Sequence, residues 1–370
     1  MINYLSLFSG IGAFEKAMIN QDIPFELIGF SEIDKYAVKS YSAIHNVDES
    51  LNLGDITKID EKKLPKNIDL ITYGFPCQDI SLAGKQQGLF NDDGTKTRSG
   101  LFFDALRIIE HTQPIVAVAE NVKNLVGKKF NAQFQVVLAS LEAVGYNNYW
   151  AVLNAKDYGI PQNRERVFIV SIRKDVDTGL FEFPKSYELK LRLKDILENV
   201  VDEKYFLSDK TIQKLIRWNN KIISNDNPDV SSTIHAGYYK MGGRDQQYIR
   251  VKEATKRGYA EAFEGDSVNL EHPNSKTRRG RVGKQIAQTL TTSCNQAAVV
   301  SHKELESLCL RRLTPKECFR LMGFSDSDFE CVTPINSDTQ LYKQAGNSIV
   351  VDVAEELLCM LFDEDGNFLI

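Results

Sequence analysis

A cysteine, a glutamate and two arginines stand where a catalytic site can be assembled. Cys77 follows Leu70-Ile71-Thr72-Tyr73, a run of strand formers, and then Gly74-Phe75-Pro76. Pro76 fixes its own φ and pushes Phe75 toward extended geometry, so the strand ends there and Cys77 falls in a loop. Open α/β sheets place their chemistry at that end of a strand. A thiolate there is a nucleophile once a cation or a helix start lowers its pKa. The alternative is a buried thiol acting as a small apolar residue. Ile115-Val116-Ala117-Val118-Ala119 is a second run of buried-strand type, and Glu120 stands at its tip. Adjacent parallel strands would bring this acid and the cysteine to one substrate. Arg164 and Arg166 alternate on extended chain after the turn Gly159-Ile160-Pro161, so both point to one face. A surface salt-bridge pair is the plainer alternative.

The elements that must position these groups read as a strand–helix alternation. Leu5-Ser6-Leu7-Phe8 is a first strand, followed by Ser9-Gly10-Ile11-Gly12-Ala13 and a helix from Phe14 to about Asn20. A strand, a glycine turn and a helix start can hold a nucleotide-like cofactor, although an ordinary tight turn fits as well. Glu32 follows a second strand, Glu26 to Ser31, and is placed to bind ribose hydroxyls; Asp34 also suits a helix N-cap. Asp55, after Gly54, would lie near an adenine edge, or is simply a turn aspartate. Residues 82–99 form a long glycine-bearing stretch without hydrophobic period, with Lys85, Lys96 and Arg98, and read as a flap closing on an anion. Leu101 to Gln113, Ala132 to Ala143 and Ile349 to Leu361 have helical apolar spacing, and Tyr149 to Leu153 and Val167 to Ile172 read as strands. Leu313-Thr314-Pro315-Lys316-Glu317-Cys318 reads as a helix start, with Thr314 capping and Glu317 completing a capping box.

The bulk numbers bound the class. The 370 residues favour two domains, at 42% hydrophobic and 26% charged. No run of eighteen apolar residues is present and the start lacks a signal-peptide pattern, so neither a membrane span nor export is expected. The six cysteines show no metal-ligand spacing and read as free thiols in the reducing cytoplasm, without a metal site. The net charge of −5 argues against nucleic acid, but its distribution does not. From His272 to Val300 there is no acid, while Lys276, Arg278, Arg279, Arg281 and Lys284 fall within that stretch. Three arginines among glycines suit a loop lying against phosphates, and a solvated face is the alternative.

Taken in order, these pieces resemble the DNA (cytosine-5)-methyltransferases of bacteria and phages, over nearly the whole chain. Phe8-Ser9-Gly10-Ile11-Gly12 is similar to the family's first motif, Phe75-Pro76-Cys77-Gln78 to the nucleophile motif and Glu120-Asn121-Val122 to its acid partner. Gln162-Asn163-Arg164-Glu165-Arg166 is similar to QxRxR, Arg312 to Cys318 to the ninth motif, and Gln344-Ala345-Gly346-Asn347-Ser348-Ile349 to the tenth. The resemblance implies a Rossmann-like mixed α/β sheet at residues 1–180 plus 335–370 that carries catalysis and cofactor. A smaller, irregular β-rich target-recognition domain would occupy residues 181–334. It implies methyl transfer from S-adenosylmethionine to carbon 5 of a flipped cytosine in duplex DNA. Cys77, Glu120, Arg164 and Arg166 would be catalytic, with Arg164 on the base's O2. The cofactor would meet residues 8–12, Glu32, Ile33, Asp55, Ile56, Phe75, Pro76, Leu101, Asn347, Ser348 and Ile349. DNA would meet Gln78, Ser81, Lys85, Arg98, Arg278, Arg279, Arg281, Thr289 and Thr291. A monomer is expected, near the nucleoid, with a restriction endonuclease as a separately acting partner. A tRNA methyltransferase of the same family is the alternative.

Overall fold

The computed structural model describes residues 1–76, 80, 88–89, 91, 95–207, 249–293, 295–302 and 307–370. Its first half alternates as expected: β1 (Ile2–Leu7), α1 (Ala13–Asn20), β2 (Phe25–Ser31), α2 (Lys35–His45), β3 (Leu70–Tyr73), α3 (Phe102–Thr112), β4 (Val116–Val122), α4 (Asn131–Ala143), β5 (Tyr146–Asn154), β6 (Gln162–Asn163) and β7 (Glu165–Arg173). Six of these strands form one sheet in the order β2-β1-β3-β4-β7-β5. The first four run parallel; β7 lies antiparallel to both β4 and β5.

Period-two alternation sends side chains to two cores. Tyr4, Leu70, Val116, Val118, Phe168 and Val170 enter one, together with Phe14 and Met18 of α1. Leu5, Leu7, Ile71, Tyr73, Ala117, Ala119, Val167 and Ile169 enter the other, with Phe102, Ile108, Phe134 and Val137 of α3 and α4. Buried on both faces, these strands need the near-continuous apolar runs seen in the sequence.

Beyond residue 181 the elements shorten: α5 (Leu193–Ile196), β8 (Ile249–Lys252), β9 (Tyr259–Ala262), β10 (Ser267–Asn269), β11 (Val282–Gly283), β12 (Ala287–Gln288), β13 (Gln296–His302) and β14 (Ser307–Arg312). A four-stranded sheet, β11-β10-β13-β14, and the β8–β9 pair share a separate small core of Ile249, Val251, Ala262, Val268, Ala297, Val299 and Leu310. The chain then returns through α6 (Pro315–Arg320), α7 (Asp326–Val332), α8 (Asp338–Asn347) and α9 (Val351–Cys359). Leu313, Phe319, Met322 and Val332 already belong to the larger core.

Among the described residues the parts meet at several points, two of which are built on strand pairing and on a buried ion pair. Strand β12 pairs in parallel with β6, Ala287 opposite Gln162. At the other, Arg311 grips Glu317 with two hydrogen bonds, 2.6 and 2.8 Å, both side chains buried. Glu317 Oε2 also accepts from the Thr314 amide, which closes the capping box expected there. Its Oε1 accepts from the Glu198 amide at 2.7 Å, and Thr314 Oγ1 donates to the Glu198 carboxylate at 2.5 Å.

Asp352, in the first turn of α9, is held up at a pKa of about 7, mainly by burial and then by the nearby charges of Glu355 and Glu356. The folded protein therefore keeps a proton that the unfolded chain releases near pH 4. The stability that Asp352 contributes should fall as pH rises from 4 to 7 and level off above that. Asp352→Asn should match the wild type near pH 4 and melt above it by a margin that grows to pH 7, measured by thermal unfolding. A margin independent of pH would contradict this.

Candidate active site

Glu120 lies within β4, two residues before its end at Val122, whereas the sequence put it at the strand tip. It pairs with Phe168 of β7, and Arg166 stands two residues along that strand, opposite Val122. Diagonal neighbours on an antiparallel pair share a face, so Arg166 Nε reaches Glu120 Oε1 at 2.9 Å. Burial pushes the Glu120 carboxyl up; Arg166 and then Arg164 pull it back only in part. The parallel β3–β4 register, Tyr73 opposite Ala119, sets Gly74 beside the acid, and a Cβ added there would lie 3.7 Å from Glu120 Oε2.

Cys77, Gln78, Ser81 and Lys85 lie outside the described residues. The residues flanking the cysteine are tied to the acid's own strand and the turn after it. Asn121 Nδ2 donates to Phe75 O at 3.0 Å, and Asn124 Nδ2 to Ile80 O. Sequence reasoning gave neither asparagine a role; Asn121 stood inside a quoted motif, and Asn124 carries no spacing signal.

The two arginines divide their work. Arg166 faces Glu120. Arg164, 3% exposed, donates to Leu290 O at 3.1 Å, Gly346 O at 3.1 Å and Ser348 O at 2.7 Å. The expectation that Arg164 takes the base's O2 therefore meets a guanidinium already bonded to three main-chain carbonyls. Gln162 works beside it, accepting from Leu290 N at 3.1 Å and donating to Leu321 O at 2.7 Å. Gly346 packs on the Thr291–Thr292 backbone so closely that an added Cβ would lie 2.6 Å from it.

A cleft of about 430 Å3, part of it open to solvent, runs along the carboxyl ends of β1, β3 and β4. Phe8, Ser9, Gly10, Gly74, Glu120, Asn347, Ser348 and Ile349 are among its lining. The glycine turn has positive φ at Phe8, Gly10 and Gly12. Gly12 is needed twice over, since an added Cβ would also strike the His45 ring, whose Nε2 meets Ile11 O at 3.0 Å. Glu32 sits at the end of β2. Its carboxylate accepts from Gly10 N at 3.0 Å, Ile33 N at 2.8 Å and Asp34 N at 2.7 Å. Burial raises the Glu32 pKa, countered in part by those amides. Ile33 is 76% exposed beside it. Asp55 is open to solvent at the start of a short turn, and the Thr57 hydroxyl and amide hold its pKa down.

Some expected cofactor contacts lie deeper. The Ile56 and Phe75 side chains are buried in the α3-side core, and Leu101 packs against it, so these side chains serve packing. Ile56 O is held by Arg107 at 2.6 Å. The far wall is braced through α8: Gln344 accepts from Ser40 Oγ at 3.1 Å and donates to Tyr36 O at 3.1 Å, and Lys343 meets Asp34 at 2.6 Å.

The basic island is partly internal. Arg281, 1% exposed, donates to Asn269 O, Glu271 O and His272 O, so it braces a turn where a phosphate contact was expected. Its neighbours' charges are engaged too: Arg278 meets Glu271 at 3.2 Å, Arg279 donates to Ala254 O at 2.9 Å, and Lys284 meets Asp266 at 2.8 Å. Thr289 Oγ1 donates to Asn163 O at 2.8 Å. Arg98 is exposed where the 82–99 stretch rejoins α3. Among the described residues no cluster of metal-binding side chains is present, and no helix is long and apolar enough to cross a membrane.

A mixed sheet with β7 reversed beside its parallel strands, and a cleft across their carboxyl ends, defines the Rossmann-like methyltransferase architecture. Solved structures share it: a DNMT2 of Spodoptera frugiperda at TM-score 0.64 and 20% identity, covering 98% of this chain and all of that one, and EhMeth of Entamoeba histolytica at 0.62 and 19%, covering 97% of each. A family model of the C-5 cytosine-specific DNA methylases matches residues 2–362. The chain is 35% identical to the orphan methyltransferase M.SPRI of Bacillus phage SPR, over 96% of each chain. It is also 35% identical to the type II methyltransferase M2.ScrFI of Lactococcus lactis subsp. cremoris, over 98% of this chain and 99% of that one. The protein belongs to this family: it is a DNA (cytosine-5)-methyltransferase.

Arg164→Met should leave three carbonyls without their donor and lower the unfolding free energy by about 2–4 kcal/mol. Arg166→Met should cost less than half of that in urea denaturation, yet cut methyl transfer at least ~100-fold. Equal stability losses at the two positions would contradict the division of labour.

Proposed function

We propose that the protein methylates carbon 5 of a cytosine flipped out of a specific duplex DNA sequence, through a covalent bond from Cys77, with S-adenosylmethionine as donor. The observation that carries the reading is the half-buried Glu120–Arg166 pair opening into the cleft that the glycine turn and the Asn347-Ser348 turn also line. Residues beside the glycine-turn end of the cleft fit the donor: Glu32, bonded to Gly10, offers carboxylate oxygens for ribose hydroxyls, exposed Ile33 offers an apolar face for adenine, and Asp55 an acceptor for its amine. When bound, that cofactor supplies an electrophilic methyl group on a positively charged sulfur.

The chain's own groups do the rest. The Cys77 thiolate adds to ring carbon 6, and electron density moves to carbon 5 and toward N3. Glu120, whose protonated form burial favours, hydrogen-bonds N3 there and accepts from the exocyclic amine. Arg166, beside that acid, takes the base's O2, the role sequence had given to Arg164. Once carbon 5 is methylated, a base removes its proton, the S–C6 bond breaks and the thiolate leaves. Flipping the base out costs a few kcal/mol. The small β unit with its own core, inside residues 181–334, is the target-recognition part in this reading. Exposed Lys276 and Arg279, with Arg98, are its phosphate contacts, and Thr289 and Thr291 lie near the base edges. The protein works as a cytoplasmic monomer, and a restriction endonuclease, if paired with it, acts separately.

Duplex DNA carrying 5-fluorocytosine should form a complex with the wild type that survives SDS, and Cys77→Ala should form none while still binding DNA. Full turnover by Cys77→Ala would end the covalent account. Labelled methyl transfer to duplex DNA and to tRNA, side by side, separates this reading from the RNA alternative; a preference for tRNA would overturn it.

A further inference from the structure

Glu15 has no part in the account above. It sits in the first turn of α1, is 2% exposed, and lines the cleft with Ser6, Thr72 and Glu120. Its Oε1 accepts from the Tyr41 hydroxyl at 2.8 Å, and Tyr41 is itself buried and stacked on Phe30 at 4.0 Å. The nearby cationic side chains are engaged elsewhere. Lys16 bonds Asp328 at 2.9 Å. His45 meets Ile11 O, and burial pushes its pKa down, which keeps the ring neutral. Among the described residues no Lys, Arg or His nitrogen lies within 4.0 Å of the Glu15 carboxylate.

A carboxylate removed from water without a cation is costly. The amino end of α1 offsets part of this, since an acid in a first turn faces the helix dipole. The remainder calls for a positive charge arriving from the cleft that Glu15 lines. The cleft also reaches Glu120, the point to which the methyl group must be delivered, so the positive centre of the donor has to pass close to this wall.

We propose that Glu15 is the counter-charge for the positive sulfur of S-adenosylmethionine, an inference that rests on the reading of the cleft as that cofactor's site. Tyr41 holds the carboxylate in place and acts as a positioning residue. The methylated donor and its demethylated product, S-adenosylhomocysteine, differ in that charge and one methyl group. Glu15 therefore makes the cleft prefer substrate over product, which also eases product departure.

The test is calorimetric titration of both ligands into the full-length protein. Glu15→Gln keeps the shape and an oxygen for Tyr41 but removes the charge. It should weaken S-adenosylmethionine by about tenfold and S-adenosylhomocysteine by less than about twofold. Tyr41→Phe, which removes a single hydroxyl, should shift the same ratio in the same direction by about threefold. Equal losses for both ligands, or no loss, would overturn the inference, since a damaged fold weakens both alike. A wild type that binds neither ligand would instead sink the cofactor reading itself.

Discussion

Two stretches far apart in the chain meet on the guanidinium of a third. Arg164 is buried and gives its hydrogens to the carbonyls of Leu290, Gly346 and Ser348. A buried cation must have its donors satisfied, so these carbonyls can move little without a large penalty. The constraint works only because residue 346 is a glycine, which lets the Thr291–Thr292 backbone come into contact. With that clamp closed, Asn347 and Ser348 face the cleft, and the β12–β6 pairing ties the small β unit to the segment that leads into β7.

Sheet geometry then sorts the reacting groups. Parallel pairing of β3 with β4 aligns Gly74 with Glu120, and reversal of β7 brings Arg166 back to the same face. An all-parallel sheet would have put the end of β7 elsewhere. The acid's environment is a balance between burial, which keeps its proton, and an arginine, which favours releasing it. Such a balance suits a group that must donate to one ring atom and accept from its neighbour.

Much of this was legible in the sequence, and the gaps have physical reasons. The first strand–turn–helix, the Thr314 cap and the α2 start at Asp34 follow from local propensity and appear as read. That a strand-borne acid, a cysteine and two arginines serve one site was implied by motif order; the Glu120–Arg166 pair itself was not read. What period two could not say was which arginine faces the acid, because alternation assigns a face and not a partner. Arg281 misled for a related reason: a run of cations reads the same whether a member lies on solvent or caps a buried turn of carbonyls. Glu15 was silent because an acid in a first helical turn looks like ordinary dipole compensation. Its burial depends on α2 packing over it, a contact with Tyr41 made 26 residues away.

The closed circuit of Glu198, Thr314 and Glu317 has a consequence of its own. The strand of chain leaving the large sheet and the strand returning to it are bonded to each other at the same carboxylate. Whatever lies between them is an excursion whose two feet already touch, so its length hardly enters the energetics of the platform: each doubling adds only about 0.6 kcal/mol of closure entropy. Segments of different length can thus be mounted on one unchanged platform without disturbing the sheet that carries the cleft.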